Sequence, residues 1–300
     1  MTAGQIVAGI ELGGTKSLAL LACGSDILEC LSIPTTSPEE TLGALHRAIG
    51  AWKHAHDFAA LGIASFGPIR LDPEAPDYGV MLPTPKPGWT GADILGILSD
   101  GLDRPCNIDT DVNAAALAEW RWGAGQGHDS LCYVTLGTGV GGGILIEGRS
   151  VQGALHPEIG HLRLRRAPGD DFPGACPLHG DCVEGLIAGP AIAARFGVRG
   201  QEIADSDPRW AFVVHDLAQL IGALLMVTSP SRILVGGGIG MSRTFLVDRA
   251  RNKAARDLAG YLPHVSEASL SDLITMPALG TNAGPLGAAA LGDAALHFQT

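Results

Sequence analysis

Positive charge is scarce in this 300-residue sequence: 20 Lys and Arg stand against 31 Asp and Glu, for a formal net charge of −11. Binding a phosphate backbone needs a basic face, so the deficit excludes nucleic acid as an expected partner. A phosphorylated small molecule stays open, because it needs only local donors. Long apolar runs are missing too. The longest late stretch, residues 220–227, falls short of the roughly 20 residues that cross a bilayer, so no membrane partner is expected. The amino terminus lacks the basic-then-apolar order of a secretory signal, and Glu11 and Lys16 interrupt its apolar run. The expected location is the cytoplasm, where six cysteines read as thiols or metal ligands rather than as a disulfide framework. No GxxxxGK[ST] occurs, which excludes a P-loop.

What is present is apolar and rich in glycine. Hydrophobic residues make up 46% against 17% charged, enough for a packed interior, and the 42 glycines cluster beside apolar runs, where backbone must approach something closely. The opening reads as a strand at 6–12, a turn Gly13-Gly14-Thr15-Lys16, and a strand at 17–22, with a third strand at 27–33. Pro38 starts a helix whose apolar positions Leu42, Leu45, Ile49 and Trp52 recur at three and four residues. A strand at 60–65, an irregular loop at 72–90, a helix near 92–102 and a short strand at 106–108 follow. Next come Asp109-Thr110-Asp111-Val112-Asn113 and an alanine-rich helix at 114–120. Residues 131–136 and 143–146 then repeat strand, glycine turn, strand, so that VTLGTGVGGGILI echoes GIELGGTKSLALL. Such duplication predicts two similar α/β domains, each offering a glycine hairpin to a shared cleft, which is the actin-like plan. The first domain is expected at 1–113 with a C-terminal helix at about 286–300, and the second at 114–285, with helices at 185–195 and 209–228 and a strand at 232–235.

Glycines at a strand turn let N–H groups converge on phosphate oxygens, and Thr and Lys add donors. Gly13, Gly14, Thr15 and Lys16 form one such set, and Gly137, Thr138, Gly139, Gly141 and Gly142 a second. Either alone reads as an ordinary hairpin turn. The pair, with Gly236-Gly237-Gly238 as a third turn, favours a nucleotide site. Phosphoryl transfer to a hydroxyl needs a carboxylate to accept a proton, and Asp111 stands at a strand-to-helix corner, with Asn113 alongside to hold a substrate hydroxyl. Capping of the alanine helix by one of Asp109, Thr110, Asp111 or Asn113 is an equal reading. His161, Cys176, His179 and Cys182 supply two imidazoles and two thiols, a closed set suited to structural zinc, which the spacing favours over a Cys176–Cys182 disulfide. A metallohydrolase on His156, Glu158 and His161 has the wrong spacing. Glu158 and Glu184 flank this loop, placed to accept from sugar hydroxyls.

These residues resemble the ROK sugar kinases over nearly the whole length, through ELGGTK, FGP, DTDVNAAALAEW, LGTGVGGG, HPEIGH, CPLHGDC with Val183-Glu184, and GGGI. The resemblance is strongest to bacterial ROK fructokinases, at TPKPGW (84–89) and in the Cys-His-Cys form of the loop. It implies an actin-like (ribonuclease H-like) two-domain α/β fold, ATP with Mg2+, a structural Zn2+ on His161, Cys176, His179 and Cys182, and a homodimer. Asp111 matches the catalytic base, and Glu158, His161 and Glu184 match sugar ligands, with Gly67, Thr110 and Asn113 among the expected substrate contacts. Thr15 and Lys16 match the first phosphate turn and Gly137 to Gly139 the second, with Gly236 and Gly237 also expected at ATP. Two positions depart from the family pattern. Glu11 replaces the Asp that many members use to orient water around magnesium, and Thr110 replaces the Asn usual in glucose and N-acetylmannosamine kinases. The second departure points to fructose. The expected reaction is therefore ATP-dependent phosphorylation of D-fructose to fructose 6-phosphate. A glucokinase or broad hexose/mannose kinase is the alternative within the class, and a non-catalytic sugar-sensing regulator the alternative outside it. The family's repressors carry an additional N-terminal DNA-binding segment, for which a first strand beginning at about residue 5 leaves no room.

Overall fold

The computed structural model describes residues 5–266 and 268–297. Two compact units divide the chain: one takes residues through Gln126, 148–156 and from Thr281 onward, the other 127–147 and 157–280.

In the first unit, β1 (Ile6–Leu12), β2 (Lys16–Cys23), β3 (Asp26–Pro34), β4 (Leu61–Ser65) and β5 (Cys106–Thr110) form one sheet in the order β3-β2-β1-β4-β5. The first three strands run antiparallel, β4 lies parallel to β1, and β5 parallel to β4. Strand β4 is buried at all five residues, as a strand covered on both faces should be. Helix α1 (Pro38–His56) starts where the sequence predicts, with Ser37 accepting from the Glu40 N–H and Pro38 in the first turn. It buries Leu42, Leu45 and Ile49 in a core shared with Ile10, Leu12, Ile63 and Trp89. Helix α2 is shorter than predicted, at Ile94–Ser99, and α3 is longer, at Asp111–Trp122.

The second unit repeats the plan. Strands β6 (Ser130–Leu136) and β7 (Val140–Ile146) form an antiparallel hairpin. A two-residue strand β8 (Arg149–Ser150) follows in the chain, within the 148–156 segment of the first unit. Strand β9 (Arg232–Gly236) runs parallel to β6, and β10 (Ile274–Thr275) parallel to β9. The order β7-β6-β9-β10 thus reproduces β2-β1-β4-β5. The helices are α4 (Val183–Ile187), α5 (Gly189–Phe196), α6 (Trp210–Val227), α7 (Gly237–Ser242), α8 (Thr244–Asp257) and α9 (Leu270–Leu273). Helix α6 is long and apolar enough to cross a membrane, contrary to the expectation drawn from 220–227, but 61% of it is buried inside the protein.

Helix α10 (Ala283–Ala295) returns to the first unit, and it explains why that unit runs to Gln126 and not to the predicted 113. A Cβ on Gly287 would lie 2.4 Å from the Ala114 carbonyl carbon, and one on Gly62 would lie 2.0 Å from the Ala288 oxygen. Backbones this close hold α3 and α10 together on the sheet. The last residues of the predicted C-terminal helix, 298–300, lie outside the described residues. Three further expectations change. The helix predicted at 185–195 breaks at Ala188, because Gly189 and Pro190 begin a new helix there. Gly141 and Gly142 belong to β7, not to the turn, and Gly142 makes room for Ile159, whose Cδ1 would lie 2.0 Å from a Cβ. Gly236 to Gly238 form a strand-to-helix junction, not a hairpin.

Candidate active site

The polar run after β5 sorts into distinct roles. Thr110 caps α3, its hydroxyl accepting from the Asn113 N–H at 3.2 Å. Asp109 is buried and accepts from Asn113 Nδ2 at 2.7 Å, the Thr110 N–H at 2.7 Å and Ser150 Oγ at 2.5 Å. Asn113 is 2% exposed, and its Oδ1 has no partner among the described residues. With the cap supplied by Thr110, Asp111 is left over. Its carboxylate accepts from the Val112 N–H, at 2.8 Å. Burial pushes its pKa from 3.8 up to about 6, with backbone N–H groups opposing the rise. Of the two equal readings of the sequence, capping falls on Thr110, which leaves the Asp111 carboxylate outside the cap. Gly67 packs against the imidazole of His156, 3.3 Å from a would-be Cβ, and His156 Nε2 in turn accepts from the Ile69 N–H at 3.3 Å.

The first glycine turn is held by its carbonyls. Thr35 Oγ1 donates to the Gly13 oxygen at 2.8 Å, the Thr35 N–H to the Thr15 oxygen at 2.9 Å, and Lys86 Nζ to the Gly14 oxygen at 2.6 Å. Gly13 must be glycine, since a Cβ would sit 2.6 Å from the Lys16 oxygen. Lys16, at the start of β2, and Thr15 are exposed beside the turn. Lys86 lies within TPKPGW, to which sequence reasoning gave no role; its ammonium also stands 5.8 and 5.9 Å from the Phe66 and Trp89 ring centroids. Glu11, the last residue but one of β1, lies beside Gly284, which leaves space for its carboxylate. Its pKa rises from 4.5 to about 7, through burial first and the Asp111 charge second, with Lys16 opposing. Two carboxylates repelling each other in this way, those of Glu11 and Asp111, suit a hard cation such as Mg2+.

In the second unit, the turn Gly137-Thr138-Gly139 opens onto a cavity of 480 Å³. Gly137 and Thr138 line it together with Gly189, Ile192, Arg199, Trp210, Gly238 and Arg243. Its size and mixed lining suit a small ligand with an apolar ring. Gly236 and Gly237, expected at the nucleotide, do not line the cavity; Gly238 does. Gly236 instead lies under Tyr133, whose Oη would be 2.6 Å from a Cβ, and Gly237 (φ +78°) backs onto Leu136. Nothing in the sequence points to Ile192, Arg199 or Arg243, because single residues on separate elements leave no local pattern. Trp210, at the start of an apolar helix, was the one visible cue.

The four expected metal ligands converge. His161 Nδ1, Cys176 Sγ, His179 Nδ1 and Cys182 Sγ all lie within 4.8 Å of one another. The nitrogens are 3.3 Å apart, and the sulfur–nitrogen separations of Cys176–His161, Cys176–His179 and Cys182–His161 are 3.9, 3.9 and 3.6 Å. A tetrahedron with zinc–nitrogen bonds near 2.0 Å and zinc–sulfur bonds near 2.3 Å has edges of about 3.3 and 3.6 Å, so the donor set fits that ion. Gly180 (φ +65°) closes the knuckle, its N–H and carbonyl paired with those of Cys176. Burial pushes the Cys182 thiol up to about 11, a cost that a bound cation removes by holding the thiolate. Glu158 is exposed just before His161, and Glu184 sits in the first turn of α4, its Oε2 accepting from the Val140 N–H at 3.1 Å.

A repeated sheet order, each copy opening on an antiparallel glycine hairpin, defines the actin-like ATPase fold. Residues 7–295 match the ROK family, and the chain belongs to it. A fructokinase of Zymomonas mobilis is 41% identical over 300 residues, covering 97% of this chain and 97% of that protein. A fructokinase of Pediococcus pentosaceus is 39% identical over 293 residues, covering 97% and 99%. Among solved structures, the ROK hexokinase from Thermus thermophilus has a TM-score of 0.78 at 27% identity, covering 97% of this chain and 99% of that one. A ROK family glucokinase from Streptomyces griseus, in complex with glucose and AMPPNP, gives 0.75 at 27%, covering 96% and 99%.

Proposed function

We propose that this protein is a fructokinase that transfers the ATP γ-phosphoryl group to D-fructose, giving fructose 6-phosphate and ADP. The observation that carries the reading is the carboxylate of Asp111: Thr110 does the capping, and burial holds the Asp111 pKa at about 6, close to working pH. In the reaction the fructose 6-hydroxyl oxygen forms a bond to the γ-phosphorus, the bond from that phosphorus to the bridging oxygen of ADP breaks, and Asp111 takes the hydroxyl proton. The 480 Å³ cavity receives the nucleoside, with Gly137, Thr138 and Gly139 at the phosphates. Gly13, Gly14, Thr15 and Lys16 supply further phosphate donors. Glu158, His161 and Glu184 hold sugar hydroxyls, and Gly67 is a further substrate contact. Thr110 and Asn113 set the first turn of α3 beneath the base, and the unpartnered Asn113 Oδ1 is an acceptor for a hydroxyl or a water. Mg2+, held near Glu11, neutralises charge on the phosphates when bound.

Fructose is chosen over glucose because the fructokinases are 39–41% identical to this chain, while the Streptomyces griseus glucokinase is 27% identical. A coupled ADP-release assay over fructose, mannose, glucose and N-acetylmannosamine tests the choice. The highest kcat/KM is expected for fructose; preference for an aldose rejects the substrate, and no sugar-dependent ADP release rejects the enzyme in favour of a sugar sensor. The knuckle is proposed to hold one structural Zn2+ and the chain to form a homodimer. Native mass spectrometry reads both at once, as a dimer mass carrying two zinc ions; a metal-free monomer contradicts both.

A further inference from the structure

We propose that Glu184 is a positioning residue for the nucleotide turn, tying the Cys/His knuckle to the 137–140 backbone so that the state of the knuckle sets nucleotide affinity even with no sugar present. The inference rests on the reading of that turn as a phosphate seat.

Helix α4 begins at the knuckle itself: Cys182 is its cap residue, with Sγ 3.5 Å from the Gly185 N–H. Two residues on, in the first turn of the helix, Glu184 Oε2 accepts from the Val140 N–H at 3.1 Å. Gly139 admits that carboxylate, since a Cβ there would lie 2.8 Å from the same oxygen. Where α5 begins, the Gly189 N–H donates to the Gly137 carbonyl at 2.7 Å. The segment carrying His161 reaches the same turn, because a Cβ on Gly160 would lie 1.8 Å from the Val140 oxygen. The Val140 end of the turn is therefore held by residues next to the metal ligands, Gly160 and Glu184, and the Gly137 end by the start of α5, one short helix beyond Cys182. Two of the turn's three residues are glycines, so by itself it has a large conformational freedom to lose. Ordering it before the nucleotide arrives takes that loss out of the binding step. A charge-assisted bond from a carboxylate to a backbone N–H is a strong way to do so.

The test is calorimetric titration of the full-length, metal-loaded protein with AMPPNP, without sugar, for wild type, Glu184→Ala and Glu184→Gln. The Ala variant is expected to bind AMPPNP about five- to tenfold more weakly. The Gln variant should recover most of the loss, because its carboxamide oxygen can still accept from the Val140 N–H. Stripping the metal with a chelator should weaken binding in wild type but change little in Glu184→Ala, where the tie is already cut. Unchanged affinity in the Ala variant, or equal weakening of both proteins on stripping, overturns the proposal. Should the Ala variant lose its circular-dichroism signature, loaded and stripped wild type carry the test, and equal affinities overturn it. A wild type that binds no AMPPNP at all overturns the nucleotide reading instead, so the two failures are distinct.

Discussion

At the scale of single residues, chemistry is assigned by what each polar group is already doing. Four good capping residues stand between 109 and 113, and side-chain type alone cannot apportion them. Packing does: Asp109 and Asn113 bond each other in the interior, and Thr110 takes the cap. Asp111 is free to titrate. A base must be deprotonated to act, and burial has moved this one from 3.8 to about 6. Log kcat/KM for fructose is therefore expected to be flat above pH 7 and to fall by about one unit per pH unit below 6. The sign follows from the direction of the shift, since a raised carboxyl pKa makes protonation, and loss of the base, easier as pH drops. A profile flat down to pH 4.5 contradicts the assignment. Lys86 shows the opposite limit on reading residues. Its motif was visible, but its contact with Gly14 joins positions 72 residues apart, and no local pattern announces that.

At the scale of elements, the predicted hairpins hold because two signals coincide there: short apolar runs, buried at most of their positions, and glycines at the turn. Strand β1 starts and ends at the predicted residues, and β2 and β3 differ by one residue at each end. Helix ends were harder to read. The junction at Ala188 depends on a Gly-Pro pair inside the apolar stretch that reads as one helix over 185–195, and the start of α3 depends on which residue caps it. Gly62 and Gly287 carry an element-level consequence that the sequence did not reveal. They read as gaps in a strand and a helix, yet each lets two backbones touch. Gly62→Ala would put a methyl group 2.0 Å from the Ala288 oxygen and 2.3 Å from the Gly292 nitrogen. Backbone cannot step aside as a side chain can, so a loss of about 2–3 kcal/mol of stability is expected, read as a lower urea midpoint. An unchanged midpoint would mean that α10 is not seated so closely.

At the scale of the whole molecule, duplication was the most legible feature, because two glycine turns flanked by apolar strands are rare enough to be noticed as a pair. The equivalence of β7-β6-β9-β10 with β2-β1-β4-β5 follows from it. The cluster of His161, Cys176, His179 and Cys182 was legible for a related reason: Cys and His at such short spacing are a recognisable ligand pattern. The walls of the 480 Å³ cavity were not, since Ile192, Arg199, Trp210 and Arg243 come from separate parts of the chain and meet only when the helices pack. Motifs thus mark the glycine turns and the Cys/His cluster, and tertiary packing decides the rest of the site.

Proton removal by Asp111 during transfer to fructose is tested most directly by Asp111→Asn, which keeps the side chain's shape and removes its basicity. Turnover of ATP with saturating fructose should fall by at least about 100-fold, while calorimetric affinities for fructose and AMPPNP stay within a few-fold of wild type. Turnover within threefold of wild type in a variant confirmed by sequencing and mass contradicts the claim.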